Sequence, residues 1–241
     1  METRTALVTG AAQGLGQEFA VALAGRGYRV AGLDLVPQRE TAGRILDYLE
    51  LVADVTDEEA VRAELERVVD QFGTLHVVVN NAGVYPSKPF EETTAEDWRR
   101  VMRVNLEAPF LVTQAALPYL KAAGWGRVVN IASAAVFTAP PTMVPYVASK
   151  MGLIGFTRAL AAALAPHGIT VNAIAPTMVR TATAERTVGA DGGFASVRAG
   201  QAVDRTQEPA DLVSTLLYVV DEGSGFLTGQ TLNVSGGSAY L

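Results

Sequence analysis

Tyr146 and Lys150 stand four residues apart, a spacing that puts both side chains on one face of a helix. The chemistry such a pair offers is proton transfer. A phenol with its ordinary pKa near 10 is a poor base at neutral pH, and a neighbouring ammonium group favours the phenolate. Lowering that pKa by about three units takes roughly 4 kcal/mol of preferential stabilisation. The chain has only three lysines, Lys88, Lys121 and Lys150, so one beside a tyrosine stands out. Alone, the Tyr-x-x-x-Lys spacing also arises by chance on ordinary helices.

A second group could hold phosphate. Gly10, Gly14 and Gly16 follow the apolar run at 5–9 and open an amphipathic stretch. Glycines there let the backbone approach a pyrophosphate, while a helix N-terminus offers N–H donors and the positive end of its dipole. A tight strand-to-helix turn with nothing bound uses the same residues. Asp34 ends the next apolar run, where a carboxylate can accept hydrogen bonds from an adenosine ribose and would repel a 2′-phosphate. Neither Gln13 nor Leu35 is basic, which also favours NAD over NADP. Arg39 is near enough in sequence to keep the second cofactor open, and an exposed acid at a strand end is the plain alternative for Asp34.

These groups need a scaffold, and the hydrophobic pattern supplies one. Val- and Ile-rich runs at 5–9, 28–35, 51–54, 75–80, 128–132, 170–174 and 231–234 read as strands. Between them, 14–26, 58–72, 95–123, 146–165 and 209–220 read as helices, the third bent near Pro109. Near-continuous apolar strands alternating with helices predict an α/β fold: a seven-stranded parallel sheet covered on both faces. No linker or repeat divides residues 1–241, so a single domain is expected. Residues 177–207 lack a clear period and carry Gly189, Gly192, Gly193 and Gly200. A loop of that length suits a substrate-binding lid that orders on binding.

Composition narrows the classes. Of 241 residues, 49% are hydrophobic and 18% charged, with a net charge of −6. That composition excludes a disordered chain, and with no basic excess to neutralise phosphates nucleic acid is not an expected partner. Zero cysteines rule out disulfides and thiolate chemistry. The N-terminus lacks the charged start and long apolar stretch of a secretion signal. The uncharged stretch at 128–149 is broken by Pro140, Pro141 and Pro145, so no membrane span is expected there, and a cytoplasmic protein is. His76 and His167 read as strand- or helix-end residues, and no cluster has metal-ligand spacing, so no metal site is expected.

Taken in order, the motifs resemble the short-chain dehydrogenase/reductase family over essentially the whole chain. Gly10, Gly14 and Gly16 match its cofactor motif. Asp54, in Ala53-Asp54-Val55, matches the carboxylate that reads adenine. Asn80, Asn81, Ala82 and Gly83 match the segment that stabilises the sheet and lines the adenine ribose. Asn105, Ser133, Tyr146 and Lys150 match the catalytic tetrad.

The resemblance implies a Rossmann-type doubly wound sheet and these roles. Tyr146 is the general acid/base, Ser133 orients the substrate oxygen, and Lys150 holds the nicotinamide ribose and lowers the Tyr146 pKa. Asn105 bends its helix and anchors a water leading to Lys150. Thr181 holds the nicotinamide carboxamide. Leu15, Val55, Pro176 and Val179 complete the implied cofactor site beside Gln13 and Leu35. Pro176-Thr177 replaces the usual Pro-Gly, which restricts the backbone there, and Ser235-Gly236-Gly237 replaces the usual Asp-Gly-Gly.

By the family's geometry Tyr85, Ala134, Ala135, Phe137, Met143 and Thr177 line the substrate pocket. The apolar majority of that set suits a hydrophobic ketone or secondary alcohol. The stretches 84–92, 124–127 and 174–183 resemble members that oxidise aryl alkyl carbinols such as 1-phenylethanol or reduce the matching ketones. A 3-oxoacyl-carrier-protein reductase using NADPH, and a non-catalytic NAD-binding sensor on the same fold, are the competing readings. The resemblance also implies a homotetramer, with the alanine-rich helix end at 159–165 available for close packing.

Overall fold

The computed structural model describes residues 3–188 and 193–240. Its strands are β1 Thr5–Thr9, β2 Arg29–Asp34, β3 Leu49–Val52, β4 Val77–Asn80, β5 Gly126–Ile131, β6 Ile169–Pro176 and β7 Thr231–Val234. The helices are α1 Gly14–Gly25, α2 Arg39–Ala42, α3 Glu58–Phe72, α4 Ala95–Met102, α5 Ala108–Ala122, α6 Ala135–Thr138, α7 Val144–Leu164, α8 Ala182–Val188, α9 Gly193–Ala199 and α10 Pro209–Val220. The strands form one parallel sheet in the order β3-β2-β1-β4-β5-β6-β7. The chain therefore winds outward in two directions from β1. In such sheets the crevice at the carboxyl ends of the strands, where the direction reverses, is where ligands bind.

The two-residue period of β1 explains the two cores. Leu7 faces one side and packs with Val61, Leu65 and Val68 of α3 and with Val112 and Leu120 of α5. Ala6 and Val8 face the other and meet Phe19 and Leu23 of α1 and Leu212 and Leu216 of α10. Alternate side chains of a strand must point to opposite faces, so a buried central strand needs apolar residues at every position. Helix ends are defined locally. The Asp57 carboxylate accepts the Ala60 N–H ahead of α3, and Gly73 ends it at φ 82°, a left-handed conformation that favours glycine. Thr94 and Asp97 form a reciprocal capping box at α4.

Three expectations are corrected. The third strand is 49–52 rather than 51–54, which leaves Asp54 in the loop beyond it. Its side chain there accepts the Thr56 N–H and hydroxyl at 2.8 Å each. The helix expected over 95–123 is interrupted at Arg103–Glu107 by a wide π-helical turn centred on Asn105. That turn runs directly into α5 through the helical Glu107 and Ala108, and Pro109, just beyond it, has no N–H to continue the ladder onto the turn's carbonyls, so the interruption falls beside the proline. The segment 177–207, read as aperiodic, contains the two short helices α8 and α9 and a bridge between Val179 and Gln207. Seven-residue helices built on Ala, Thr and Gly offer too few large apolar side chains to register as a period. Gly189 and Gly192 lie outside the described residues.

A buried polar ladder joins the central strands to the helices. Asn80 and Asn130 are register partners on β4 and β5. Asn80 donates to Thr113 at 3.0 Å and to Asn130 at 2.8 Å, and Asn130 donates to Thr157 at 2.9 Å. All four are at most 3% exposed. Buried amides are tolerated only when bonded, so the ladder fixes α5 and α7 in register with the strand ends they support. Val144–His167 is long and apolar enough to cross a membrane. Here it packs against β6 and α4 and carries Lys150 into the interior, as a core helix does.

Candidate active site

The glycine loop joins β1 to α1 under close backbone packing. Gly10 and Gly14 have φ of 68° and 61°, a region open to glycine at little cost. A Cβ at Gly16 would overlap the Gly10 carbonyl, so α1 approaches β1 only because that position has no side chain. The loop is tied to the end of β4. Thr9 Oγ1 accepts the Asn81 and Ala82 N–H groups at 3.0 Å each, and Asn81 Nδ2 donates to the Thr9 carbonyl at 2.9 Å. Ala82 packs against one core, and Gly83 continues the turn. His76 closes the opposite end of the sheet, its Nδ1 accepting the Thr5 N–H at 3.0 Å, a structural placement.

The start of α1 suits an anion. Its cap residue, Gln13, makes no side-chain cap bond, and no acidic residue lies in the first turn. The first N–H groups of a helix have no partner within it, so those of α1 point into the loop as donors with no negative charge nearby in the turn. Asp34, at the end of β2, accepts the Ala12 N–H at 2.9 Å and stays partly exposed beside the loop. Leu35 is 67% exposed just beyond it. Leu15 and Val55 pack inward, Asp54 stays on the rim, and Thr181 comes to rest over Gly14. This donor set and carboxylate fit the diphosphate and adenosine ribose of a nicotinamide dinucleotide.

Across the crevice, four side chains converge at the ends of β4 and β5. Ser133 follows β5, is 8% exposed, and hydrogen-bonds the Tyr146 phenol. Tyr146 and Lys150 share one face of α7, with the Lys150 Nζ 5.9 Å from the phenol ring centre. Lys150 is 4% exposed, and its Nζ donates to the Ile131 carbonyl at 2.6 Å. Asn105, on the π turn, exchanges two bonds with the Val84 backbone at 2.9 and 2.8 Å and donates to Ser149 at 3.1 Å. Gly83 lies against both the Asn105 amide and the Lys150 Nζ, so a side chain there would crowd both.

The protein's own side chains do not by themselves lower the Tyr146 phenol. Burial raises the Tyr146 phenol above its ordinary value, the Ser133 hydrogen bond opposes that rise, and the Tyr85 phenol adds to it. Burial also lowers Lys150 to about 8. Lys150 is not among the groups that lower the phenol, and its Nζ donates to the Ile131 carbonyl. In a desolvated site each group is driven toward its neutral form.

The apolar rim forms from two loops. The Lys88 N–H donates to the Thr142 carbonyl at 2.7 Å, and the Ser87 and Thr142 hydroxyls pair at 2.8 Å. This brings the loop carrying Tyr85 against the one carrying Met143. Ala134, Ala135 and Phe137 follow Ser133 into α6. Thr177, just past Pro176, gives its N–H to the Gln207 side chain at 3.0 Å, and Gln207 donates to the Val234 carbonyl at 2.6 Å. Gln207 thereby ties both ends of the 177–207 segment to β7. No short motif marks it in the sequence, and its partners lie about 30 positions away. Gly236 accepts the Ala202 and Val203 N–H groups through its carbonyl, so the terminal glycine pair holds the same segment despite Ser235.

The family model described as short chain dehydrogenase matches residues 4–191. The chain belongs to the short-chain dehydrogenase family. Family members are oxidoreductases that act on alcohol and carbonyl groups with a nicotinamide dinucleotide. The chain is 36% identical over 247 residues to the (2S)-[(R)-hydroxy(phenyl)methyl]succinyl-CoA dehydrogenase subunit BbsD of Thauera aromatica, covering all of this chain and 98% of that one. It is 32% identical to the 3-oxoacyl-[acyl-carrier-protein] reductase FabG of Haemophilus influenzae, covering 98% of both. A solved structure assigned as a candidate gluconate dehydrogenase from Agrobacterium tumefaciens superposes with a TM-score of 0.92 at 33% identity, covering 99% of this chain and 97% of that one. The fold and reaction class agree across these relatives while the substrates in their names diverge, as expected where pocket loops vary on a fixed scaffold.

Proposed function

We propose that this enzyme is an NAD-dependent oxidoreductase that interconverts a hydrophobic, aryl-substituted secondary alcohol and its ketone. The observation that carries this reading is the Tyr146 phenol, hydrogen-bonded by Ser133 and backed by the buried Lys150, beside an apolar rim. A nicotinamide held here would supply the hydride in reduction and accept it in oxidation. In reduction Tyr146 gives its proton to the substrate oxygen as the carbonyl carbon is reduced, and in oxidation it takes the hydroxyl proton. Ser133 orients that oxygen. Lys150 would hold the nicotinamide ribose, and Asn105 fixes the backbone at Val84. Pro176, Val179 and Thr181 would bound the nicotinamide end, with 177–207 as the lid over the substrate.

Asp34 supports NAD, because a carboxylate at the adenosine ribose accepts from a 2′-hydroxyl and repels a 2′-phosphate. Tyr85, Phe137 and Met143, as the pocket lining beside Ser133 in this reading, favour an aromatic ring over a polyol. The relative named for a hydroxy(phenyl)methyl compound is consistent with a benzylic carbon at the reacting position. The reductase relative favours a second reading, an NADPH-linked 3-oxoacyl thioester reductase, against which Asp34 stands. A parallel assay of NADH and NADPH oxidation with acetophenone and an acetoacetyl thioester separates the two. NADH-linked turnover of acetophenone is expected, and NADPH-linked turnover of the thioester alone would reject the proposal. A cytoplasmic location accords with dependence on a soluble dinucleotide.

The enzyme acts as a homotetramer in this reading. Trp98 and Phe110 are 41% and 43% exposed on a groove of about 650 Å³ between α4, α5 and α7. Beside it α7 presents Met151, Gly155, Ala159 and Ala162 outward, the last three small enough for another helix to approach closely. Exposed apolar faces of this kind mark protein interfaces. Light scattering at micromolar concentration is expected to give about four times the chain mass of 25.4 kDa, and a single-chain species would refute the assembly.

A further inference from the structure

Two described residues of the 177–207 segment reach the glycine loop. Thr181 rests over Gly14, and Arg186 Nη2 donates to Gln13 Oε1 at 3.1 Å. The other arginines of this segment have carboxylate partners. Arg180 pairs with Glu208 at 3.1 Å, Arg198 with Asp204 at 3.0 Å, and Arg205 with Asp211 at 2.6 Å. Arg186 has only neutral acceptors among the described residues, Gln13 and the Thr183 hydroxyl at 3.3 Å. Among the described residues no carboxylate pairs with it, and its bond to Gln13 sets the guanidinium at the mouth of the loop, beside the residue that precedes α1. Gln13 does not cap that helix, and its carboxamide instead holds the guanidinium in place.

We propose that Arg186 is a binding residue for the cofactor's diphosphate, held ready by Gln13 and supplying a cation that the glycine loop itself lacks. The inference rests on the nicotinamide-dinucleotide reading above and adds a residue to it. Between α1 and Arg186 the diphosphate would be clasped from both sides, by neutral N–H donors on one and a forked cationic donor on the other. A guanidinium matches phosphate oxygens in geometry as well as charge. A phosphate on the adenosine ribose offers the same chemistry, but Asp34 occupies that position, which assigns Arg186 to the diphosphate.

Direct binding tests this without turnover. NADH fluorescence titrations would compare the wild type with Arg186→Met, Arg186→Lys, Gln13→Ala and the control Arg198→Met, with ADP, 2′-AMP and adenosine as competing probes. Arg186 is exposed, so its replacement leaves the cores intact. Arg186→Met is expected to weaken NADH and ADP about tenfold, in the range of a charge-assisted bond at a partly solvated site, and to leave adenosine unchanged. Arg186→Lys should recover part of the loss, Gln13→Ala should lose about two- to threefold, and Arg198→Met should match the wild type. Equal affinities in Arg186→Met and wild type would overturn the assignment. So would equal losses for adenosine and ADP, or a loss confined to 2′-AMP. A wild type that prefers NADPH would reject the Asp34 reading, while the ADP arm still decides Arg186. A wild type that binds no dinucleotide would remove both.

Discussion

Tyr146→Phe is expected to lower kcat about a thousandfold, within the range general acid–base catalysis contributes, while NADH binding and fold stay as in the wild type. The substitution removes one oxygen and keeps the ring that packs on α7. The lost atom is the one Ser133 hydrogen-bonds, so the change acts where the substrate oxygen must sit. Steady-state kinetics with an aryl ketone would measure the loss, and fluorescence titration would show the retained cofactor. Unchanged turnover would remove Tyr146 from the mechanism and leave an enzyme acting by another group, or a dinucleotide-binding protein whose chemistry lies elsewhere. Direction and pH add a second readout. The phenol is raised by burial and remains a proton donor through neutral and mildly alkaline pH. Ketone reduction should therefore hold between about pH 7 and 9, while alcohol oxidation, which needs the base form, rises across the same interval.

How much of the site is legible in the sequence depends on how far apart the partners lie. Tyr146 and Lys150 are four positions apart, so helical geometry alone puts them on one face. Asp34 and the glycine loop are legible because each sits where an apolar run ends, and strand ends in a parallel sheet define the crevice. The position of the helix break is not. Pro109 marks the neighbourhood, but the wide turn is centred on Asn105, whose amide makes two bonds with Val84, 21 positions earlier. Arg186 and Gln13 are separated by 173 positions, and Gln207 owes its role to Thr177 and Val234 together. Such pairings are set by tertiary approach and leave no periodic trace. The surroundings of Tyr146 are hidden for a related reason. Spacing places an ammonium on the same face but cannot show that the Ile131 carbonyl claims it.

That same carbonyl frames the expectation for Lys150→Met, which should abolish most activity yet stabilise the protein at neutral pH. Lys150 is buried, and its folded pKa falls from 10.5 to about 8. Between those values the unfolded chain binds more protons than the folded one, so stability rises with pH across the window. Below it the folded protein carries the full cost of a desolvated ammonium, about 3 kcal/mol for a displacement of that size. Methionine fills a similar volume without that cost. Urea midpoints should therefore favour Lys150→Met near pH 7, and the advantage should shrink as pH rises from about 8 to 10, as the wild type gains stability. Above about pH 10 the raised phenols of Tyr28, Tyr48 and Tyr146 act oppositely, since folding then keeps them protonated against solvent. Both proteins share that descent, so the difference between them isolates the lysine. A variant less stable than the wild type at neutral pH, with a parallel pH dependence, would mean that the bond to Ile131 outweighs desolvation. The opposite outcome would identify Lys150 as a group whose folding cost is maintained by its function at the nicotinamide ribose, which is how a stability deficit comes to mark an active site.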